Sequence, residues 1–274
     1  MTAQQTPGTA SRVVFDNVSK TYHGDHGDVK VVDGVSFSLG EGDFVSLIGP
    51  SGCGKTTMLQ MLAGFVTPDS GSVTINGQPV EGPGSDRGVI FQEYGVFPWL
   101  TVEKNIEFGL TLGRNRVPEA KRREIVQHYI KLMHLNGFEK AYPKHLSGGM
   151  RQRLALARAY AVNPRILLMD EPFGALDAQT RLALQLQLME VLTAERKTVL
   201  LITHSVEEAI FLSTRILIIS ARPSRLLRVV DVPFPYPRTP ALTGTPEFQK
   251  LRLELEEVSM QQYAEQQKLA AQSA

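Results

Sequence analysis

Residues 49–57 read Gly49, Pro50, Ser51, Gly52, Cys53, Gly54, Lys55, Thr56 and Thr57, the spacing G-x-x-x-x-G-K-[ST]. A phosphate is a multiply charged acceptor, so a loop that holds one needs many donors at close range. Gly49, Gly52 and Gly54 let the backbone curl inward and turn its N–H groups toward a β-phosphate. A helix start behind the loop adds a positive dipole end. Lys55 reaches the β- and γ-phosphates, and the Thr56 hydroxyl can ligate Mg²⁺. Farther along, the apolar run Ile166-Leu167-Leu168-Met169 ends in Asp170 and Glu171. Asp170 would hold Mg²⁺ through water, because this ion keeps several of its waters. Neighbours on a strand point to opposite faces, so both carboxylates can face one phosphate only if the strand has just ended. Glu171 is then placed to orient and polarise an attacking water.

A second candidate anion site is Ser147-Gly148-Gly149, at the start of a basic amphipathic helix (Arg151, Arg153, Arg158). Ser147 is a good N-cap type and the glycines leave bare N–H groups. The residues alone read equally as ordinary helix capping. If the site is real, one γ-phosphate cannot fill both loops in one chain. Two chains head to tail, each lending Ser147 to the other's nucleotide, would close as a twofold dimer. Cys53, next to a helix N-terminus, is expected to carry a lowered thiol pKa, so that alkylation blocks nucleotide binding. A small residue that merely fits is the other reading.

These residues need a scaffold. Phe44–Ile48 reads as a buried strand leading to Gly49, and 55–64 as the helix behind the loop. Strands are expected at 166–169, 199–202 and 216–219, alternating with helices that end near Val162 or span 179–194 and 206–212. That order predicts a mainly parallel sheet covered on both faces. Val13–Val18, Val35–Leu39 and Ser72–Ile75, the last with an Asn76-Gly77 turn, predict an antiparallel side sheet. Val89-Ile90-Phe91 is a short strand ending at Gln92. Thr101 to Leu135 turns helical, with Ile125, Tyr129, Leu132 and Met133 as its apolar face. Pro233, Pro235, Pro237 and Pro240 mark an extended linker, and 246–270 reads as a polar surface helix packed on the core.

Composition narrows the class. Hydrophobic residues make up 42% and charged residues 21%, as in a globular chain. A net charge of +1 supplies no global field for nucleic acid, and Lys121-Arg122-Arg123 reads as a solvated helix face. Cys53 is the sole cysteine, which excludes an internal disulfide and fits a reducing compartment. The longest apolar runs are about four residues against the roughly 20 of a membrane helix. Residues 1–11 are polar and read as a disordered lead. His23, His26, His128, His134 and His145 read as solvated residues.

Gly49–Thr57, Leu146-Ser147-Gly148-Gly149-Met150-Arg151-Gln152 and Asp170-Glu171 together resemble the ATP-binding cassette (ABC) family over about 12–230. The resemblance implies an α/β P-loop NTPase core with an antiparallel β side sheet and an α-helical subdomain at about 93–162, with the linker and C-terminal helix at 231–274. It implies ATP and Mg²⁺ as cofactors, and an ATPase. By position in the family pattern, Tyr22 stacks on adenine and Gln92 senses Mg²⁺ and the attacking water. Asp177, in Gly174-Ala175-Leu176-Asp177, bridges the dimer interface, and His204 holds the γ-phosphate. Phe91-Gln92-Glu93-Tyr94-Gly95-Val96-Phe97-Pro98-Trp99-Leu100 and Ser220-Ala221-Arg222-Pro223-Ser224-Arg225-Leu226 look like the ATPase subunits of nitrate, sulfonate, taurine and bicarbonate importers. The partners so implied are a second, identical ATPase subunit, transmembrane permease subunits and a periplasmic or extracellular solute-binding protein, but no nucleic acid. The place implied is the cytoplasmic face of the inner membrane, peripherally. Phe97, Trp99 and Leu100 would either receive a permease helix or fill the core of the helical insertion. A non-transport ABC ATPase, in DNA repair, chromosome organisation or translation, is the alternative. Against it, only about 55 residues separate Gln92 from Ser147, too few for a long coiled coil, and there is one cassette. A P-loop kinase or GTPase would lack Leu146–Gly149.

Overall fold

Strands that alternate and strands that are apolar throughout sort into two different sheets of a computed structural model, which describes residues 11–24, 27–92, 95–113, 116–174, 176–195 and 197–273. The first half of the chain forms β1 (Ser11–Gly24), β2 (Gly27–Gly40), β3 (Phe44–Ile48), α1 (Lys55–Ala63), β4 (Ser70–Ile75), β5 (Gln78–Pro79), β6 (Arg87–Ile90), α2 (Val102–Phe108) and α3 (Glu119–Leu132). The second forms α4 (Gly148–Ala161), β7 (Ile166–Asp170), α5 (Ala178–Glu195), β8 (Thr198–Ile202), α6 (Val206–Leu212), β9 (Arg215–Ile219), β10 (Leu226–Asp231) and α7 (Pro246–Ser273). The expectations for His26, Glu93, Tyr94, Ala175 and residues 1–10 fall outside the described residues.

The alternating strands make an antiparallel sheet in the order β2-β1-β4-β5. Asn76 and Gly77, at φ 51° and 77°, turn β4 into β5 as the hairpin signal predicts. The apolar strands make a six-stranded sheet, β10-β9-β3-β8-β7-β6, parallel except for the β10–β9 pair. Strands buried on both faces lose nothing by being apolar throughout. Helix α1 lies between the sheets: Met58, Leu59 and Leu62 pack with Phe15 and Leu39 of one and Leu47, Leu168 and Leu200 of the other. Each such side chain contributes about 1.5–3 kcal/mol by leaving water. The opposite face of the parallel sheet, with α2 to α6, forms a second core. The P-loop is thereby clamped between a strand and a largely embedded helix.

Three details depart from expectation. The buried stripe of α3 is Val126, Tyr129 and Ile130, continued by Met133; Ile125 and Leu132 are only half buried. Packing against α2 and α4 rotates the helix slightly from the face that spacing alone selects. Strand β10 was not foreseen, because Leu227 and Val229 are exposed on an edge and the alternation carries no clear apolar face. The proline segment does not swing free. Arg238, 4% exposed, donates to the carbonyls of Ile210 (2.7 Å), Phe211 (3.0 Å) and Phe234 (3.0 Å), and the Tyr236 hydroxyl donates to the Leu212 carbonyl. The carbonyls of Ile210, Phe211 and Leu212 are orphans at the end of α6, so the segment caps that helix, while the bond to Phe234 closes the segment on itself. Behind it, Phe234 stacks on Phe248 of α7 (5.8 Å), and the Ala221 N–H donates to Gln262 Oε1 (3.0 Å).

Candidate functional site

Four neighbouring parallel strands deliver the chain to one edge of the sheet. Strand β3 runs into Gly49, β7 ends at Asp170, β8 precedes His204, and β6 precedes Gln92. Ligands of open α/β sheets bind at this carboxyl edge.

Gly52 and Gly54 take φ +73° and +116°, a region that other residues enter only at a cost of about 1–2 kcal/mol. Around Gly54 there is also no room: a Cβ would lie 2.7 Å from Val31 Cγ1. Gly54 is the N-cap of α1 and offers no side-chain cap, so the first N–H groups of the helix stay directed into the loop. Lys55 is 6% exposed, and its ammonium donates to the Gly49 and Pro50 carbonyls, each at 2.8 Å. It folds back across the concavity that the loop encloses. Ser51, Gly52 and Thr56 are solvent-facing or half-open, whereas Thr57 is buried.

Cys53 corrects the expectation of a reactive thiol. Its side chain has no exposed surface and packs in the core under the loop. Burial raises the thiol pKa; nearby Lys55 only partly opposes this. The backbone N–H groups of Lys55 and of Cys53 itself also lower it, as a helix start should, but burial outweighs them. Cys53 is there because it is small and apolar, and only its backbone can line a phosphate site.

Thr56 and Asp170, far apart in sequence, meet: the Thr56 hydroxyl donates to Asp170 Oδ2 at 2.9 Å. Burial pushes the Asp170 carboxyl up, and the Glu171 charge adds to this. A hydroxyl and an under-compensated carboxylate side by side are the hard oxygen donors that suit Mg²⁺, so these residues fit the ion.

Glu171 has φ +45°. Its N–H still donates to the Ile202 carbonyl (2.9 Å), so the backbone is pinned to β8 while the left-handed turn swings its carboxylate to the same edge as Asp170. This is how the strand ends between the two acids. Glu171 Oε2 lies 3.2 Å from His204 Nδ1, and the imidazole is mostly exposed while the carboxylate is mostly covered. Gln92 is exposed in the turn after β6. Lys55, Thr56, Asp170, Glu171, His204 and Gln92 therefore belong to one edge.

Other expected residues sit differently. The Ser147 hydroxyl accepts from the Met150 N–H (3.3 Å) and caps α4. Gly149 is held close to α5, since a Cβ there would lie 2.6 Å from Thr180 Cγ2. Asp177 Oδ1 accepts from the Thr180 N–H (3.0 Å), a bond that holds its carboxyl below the usual range. Ser147, Gly148, Gly149 and Asp177 thus share the α4–α5 region, and among the described residues no hydrogen bond joins them to residues 49–57. Tyr22 stands near the tip of the β1–β2 hairpin, 41% exposed, with Lys20 Nζ 5.8 Å from its ring centroid. That leaves ring surface free for stacking. Trp99 is 69% exposed and tilts against Phe97, which also packs on Phe108 and under the Arg158 guanidinium.

Sequence reasoning missed the supports: Val31 and Ser224 beneath Gly54, and Thr203, Gln185 and Glu208 behind His204. No local pattern announces them, because each partner comes from another element.

Known proteins are similar to this chain. A family model described as ABC transporter matches residues 32–174. A Brucella abortus protein named for ATP binding is 50% identical over 88% of this chain and 90% of its own length. An uncharacterized ABC transporter ATP-binding protein of Methanocaldococcus jannaschii is 47% identical over 83% of this chain and 84% of its own. The aliphatic sulfonates import ATP-binding protein of Bacillus cereus is 43% identical over 88% and 92%. Among solved structures, a dimeric ATP-binding cassette in a post-hydrolysis state with ADP and Pi is 31% identical, with a TM-score of 0.72, over 81% of this chain and 99% of that one.

Proposed function

Since this chain belongs to the ABC transporter family, as an ATPase coupled to transport, we propose that it is the engine of an importer for a small anion of the nitrate, sulfonate, taurine or bicarbonate class. The observation that carries the catalytic part is the meeting of Thr56 with Asp170 and of His204 with Glu171 beside the P-loop. Lys55 and the N–H groups of residues 49–57 bind the phosphates, and Tyr22 stacks on adenine. Mg²⁺, held by Thr56, Asp170 and Gln92, would supply charge neutralisation at the phosphate oxygens. Glu171 takes the proton of the attacking water, and His204 keeps the carboxylate and the γ-phosphate in register. These are positioning and charge effects, which is what phosphoryl transfer requires.

Ser147, Gly148, Gly149 and Asp177 act on the nucleotide of a second, identical subunit. The dimeric post-hydrolysis cassette supports this reading. ATP binding favours the closed pair and hydrolysis releases it, so any partner that differs between the two states is driven. No helix of the described residues is long and apolar enough to cross a membrane, so the path for solute belongs to permease subunits, with a solute-binding protein on the far side. The chain works on the cytoplasmic face. The import assignment leans on the sulfonate relative.

The test is co-expression with permease subunits of this importer class, followed by ATPase measurements with a binding protein and each anion. Stimulation by one of them is expected. Stimulation by none of the four classes would reject the importer assignment.

A further inference from the structure

Glu208 is a carboxylate in an expensive place. It sits in the first turn of α6, 7% exposed, a few residues beyond His204. A helix start gains from an acidic residue, but exposed Glu207 already supplies one. Burial raises the Glu208 carboxyl, with Thr203, Gln185, Arg181 and His204 opposing. A buried charge is kept at such cost only where its hydrogen bonds do something an apolar side chain cannot.

Its partners show what that is. The Thr203 hydroxyl donates to Glu208 Oε2, and Gln185 Nε2 donates to Oε1 at 3.1 Å. The same Thr203 oxygen accepts from the Ser205 N–H at 3.0 Å. The residues on both sides of His204 therefore hang on one hydroxyl, and that hydroxyl hangs on Glu208. Gln185 belongs to α5, the helix that opens at Asp177. A cavity of about 20 Å³, room for a single water, is lined by Glu171, Arg181, Thr203, His204 and Glu208. The two glutamates and the histidine thus line one small space.

We propose that Glu208 is a positioning residue for hydrolysis: through Thr203 and Gln185 it fixes the His204 loop against α5, and so keeps the imidazole on the Glu171 carboxylate. The inference rests on Glu171 and His204 carrying the reaction. It adds that α5, the helix opening at Asp177, and the γ-phosphate histidine are mechanically one unit.

The test compares turnover, nucleotide affinity and thermal unfolding of the full chain for Glu208→Met, Glu208→Gln, Thr203→Val and Thr203→Ser. Methionine fills the space without accepting hydrogen bonds. Glutamine can still accept from Thr203 while Gln185 turns its amide, so it is the conservative rescue. Glu208→Met and Thr203→Val should lower kcat on the order of 10- to 100-fold, as a misplaced group does, with ATP affinity within about twofold. Glu208→Gln and Thr203→Ser should stay near the parent. Because the effect passes through His204, Glu208→Met added to His204→Ala should cost almost nothing further. Should Glu208→Met not fold, Thr203→Val carries the same comparison. Parental kcat in Thr203→Val, an affinity loss equal to the kcat loss, or an undiminished loss in the His204→Ala background would each overturn the proposal. Glu171→Gln, run in parallel, separates the two readings. If it hydrolyses normally, the assignment of the reaction fails; if it is inactive while Thr203→Val is not, only the positioning role fails.

Discussion

The P-loop edge and the Ser147 helix start, both proposed to hold anions, are finished to different degrees. At the P-loop edge the Thr56 hydroxyl meets the Asp170 carboxylate, the His204 imidazole meets the Glu171 carboxylate, and the Lys55 ammonium lies on the carbonyls of its own loop. At Ser147 the hydroxyl is spent on its own helix and Gly149 is packed against α5. The first half gathers its groups within one chain. The second, among the described residues, makes no hydrogen bond to residues 49–57. On the proposed reading the two halves belong to one site shared between two copies, which would tie ATP consumption to association.

Breaking the first half should give the largest effect. Glu171→Gln should lower turnover by about 10²–10⁴-fold while ATP still binds, and an ATP-bound dimer should accumulate on size exclusion. Normal turnover in that variant would remove Glu171 as the base. Breaking the second half is the next test. Ser147→Arg should leave nucleotide affinity intact yet abolish ATP-dependent dimerisation, with turnover down on the order of 10²-fold, as for other lost anion donors. Unchanged dimerisation would mean that Ser147 is a cap and nothing more.

A smaller, opposite effect distinguishes function from stability at Asp170. Its carboxyl is raised in the folded chain, so its contribution favours the fold below the unfolded-state pKa and is lost as pH rises through the folded value. At neutral pH without nucleotide or metal the ionised group is a cost. Asp170→Asn should therefore unfold at a temperature no lower than the parent, and slightly above it, in calorimetry at pH 7, though inactive. A clear drop in unfolding temperature would show that the charge supports the fold. The smallest expected effect concerns Cys53. A thiol reagent that fully labels the unfolded chain should leave the native ATPase rate unchanged over the same time, because the sulfur is covered. Rapid inactivation would restore the reactive-thiol expectation.

What could be read in advance follows the reach of the physics. The P-loop is legible because its glycines, lysine and threonine act on one ligand from consecutive positions. Asp170 and Glu171 are legible because an apolar strand must end where charge begins. His204, Gln92, Tyr22 and Asp177 are single residues at element ends; nothing local separates a catalytic from a structural role there, so they rested on resemblance. Strand β10 escaped because an exposed edge strand need not alternate. The reading of Cys53 as a small residue that fits holds, but its thiol pKa was misjudged because how deeply a side chain in a glycine-rich loop is buried depends on what packs around it.

The sequence by itself determined the ligand chemistry and the alternation of strands and helices, since both are written in neighbouring residues whose preferences are local. Only the tertiary structure decided which groups meet: Thr56 with Asp170, His204 with Glu171, Glu208 with Thr203 and Gln185, Arg238 with the end of α6. Those pairings span separate elements, and their geometry is set by how two cores pack around one sheet, which no local preference encodes.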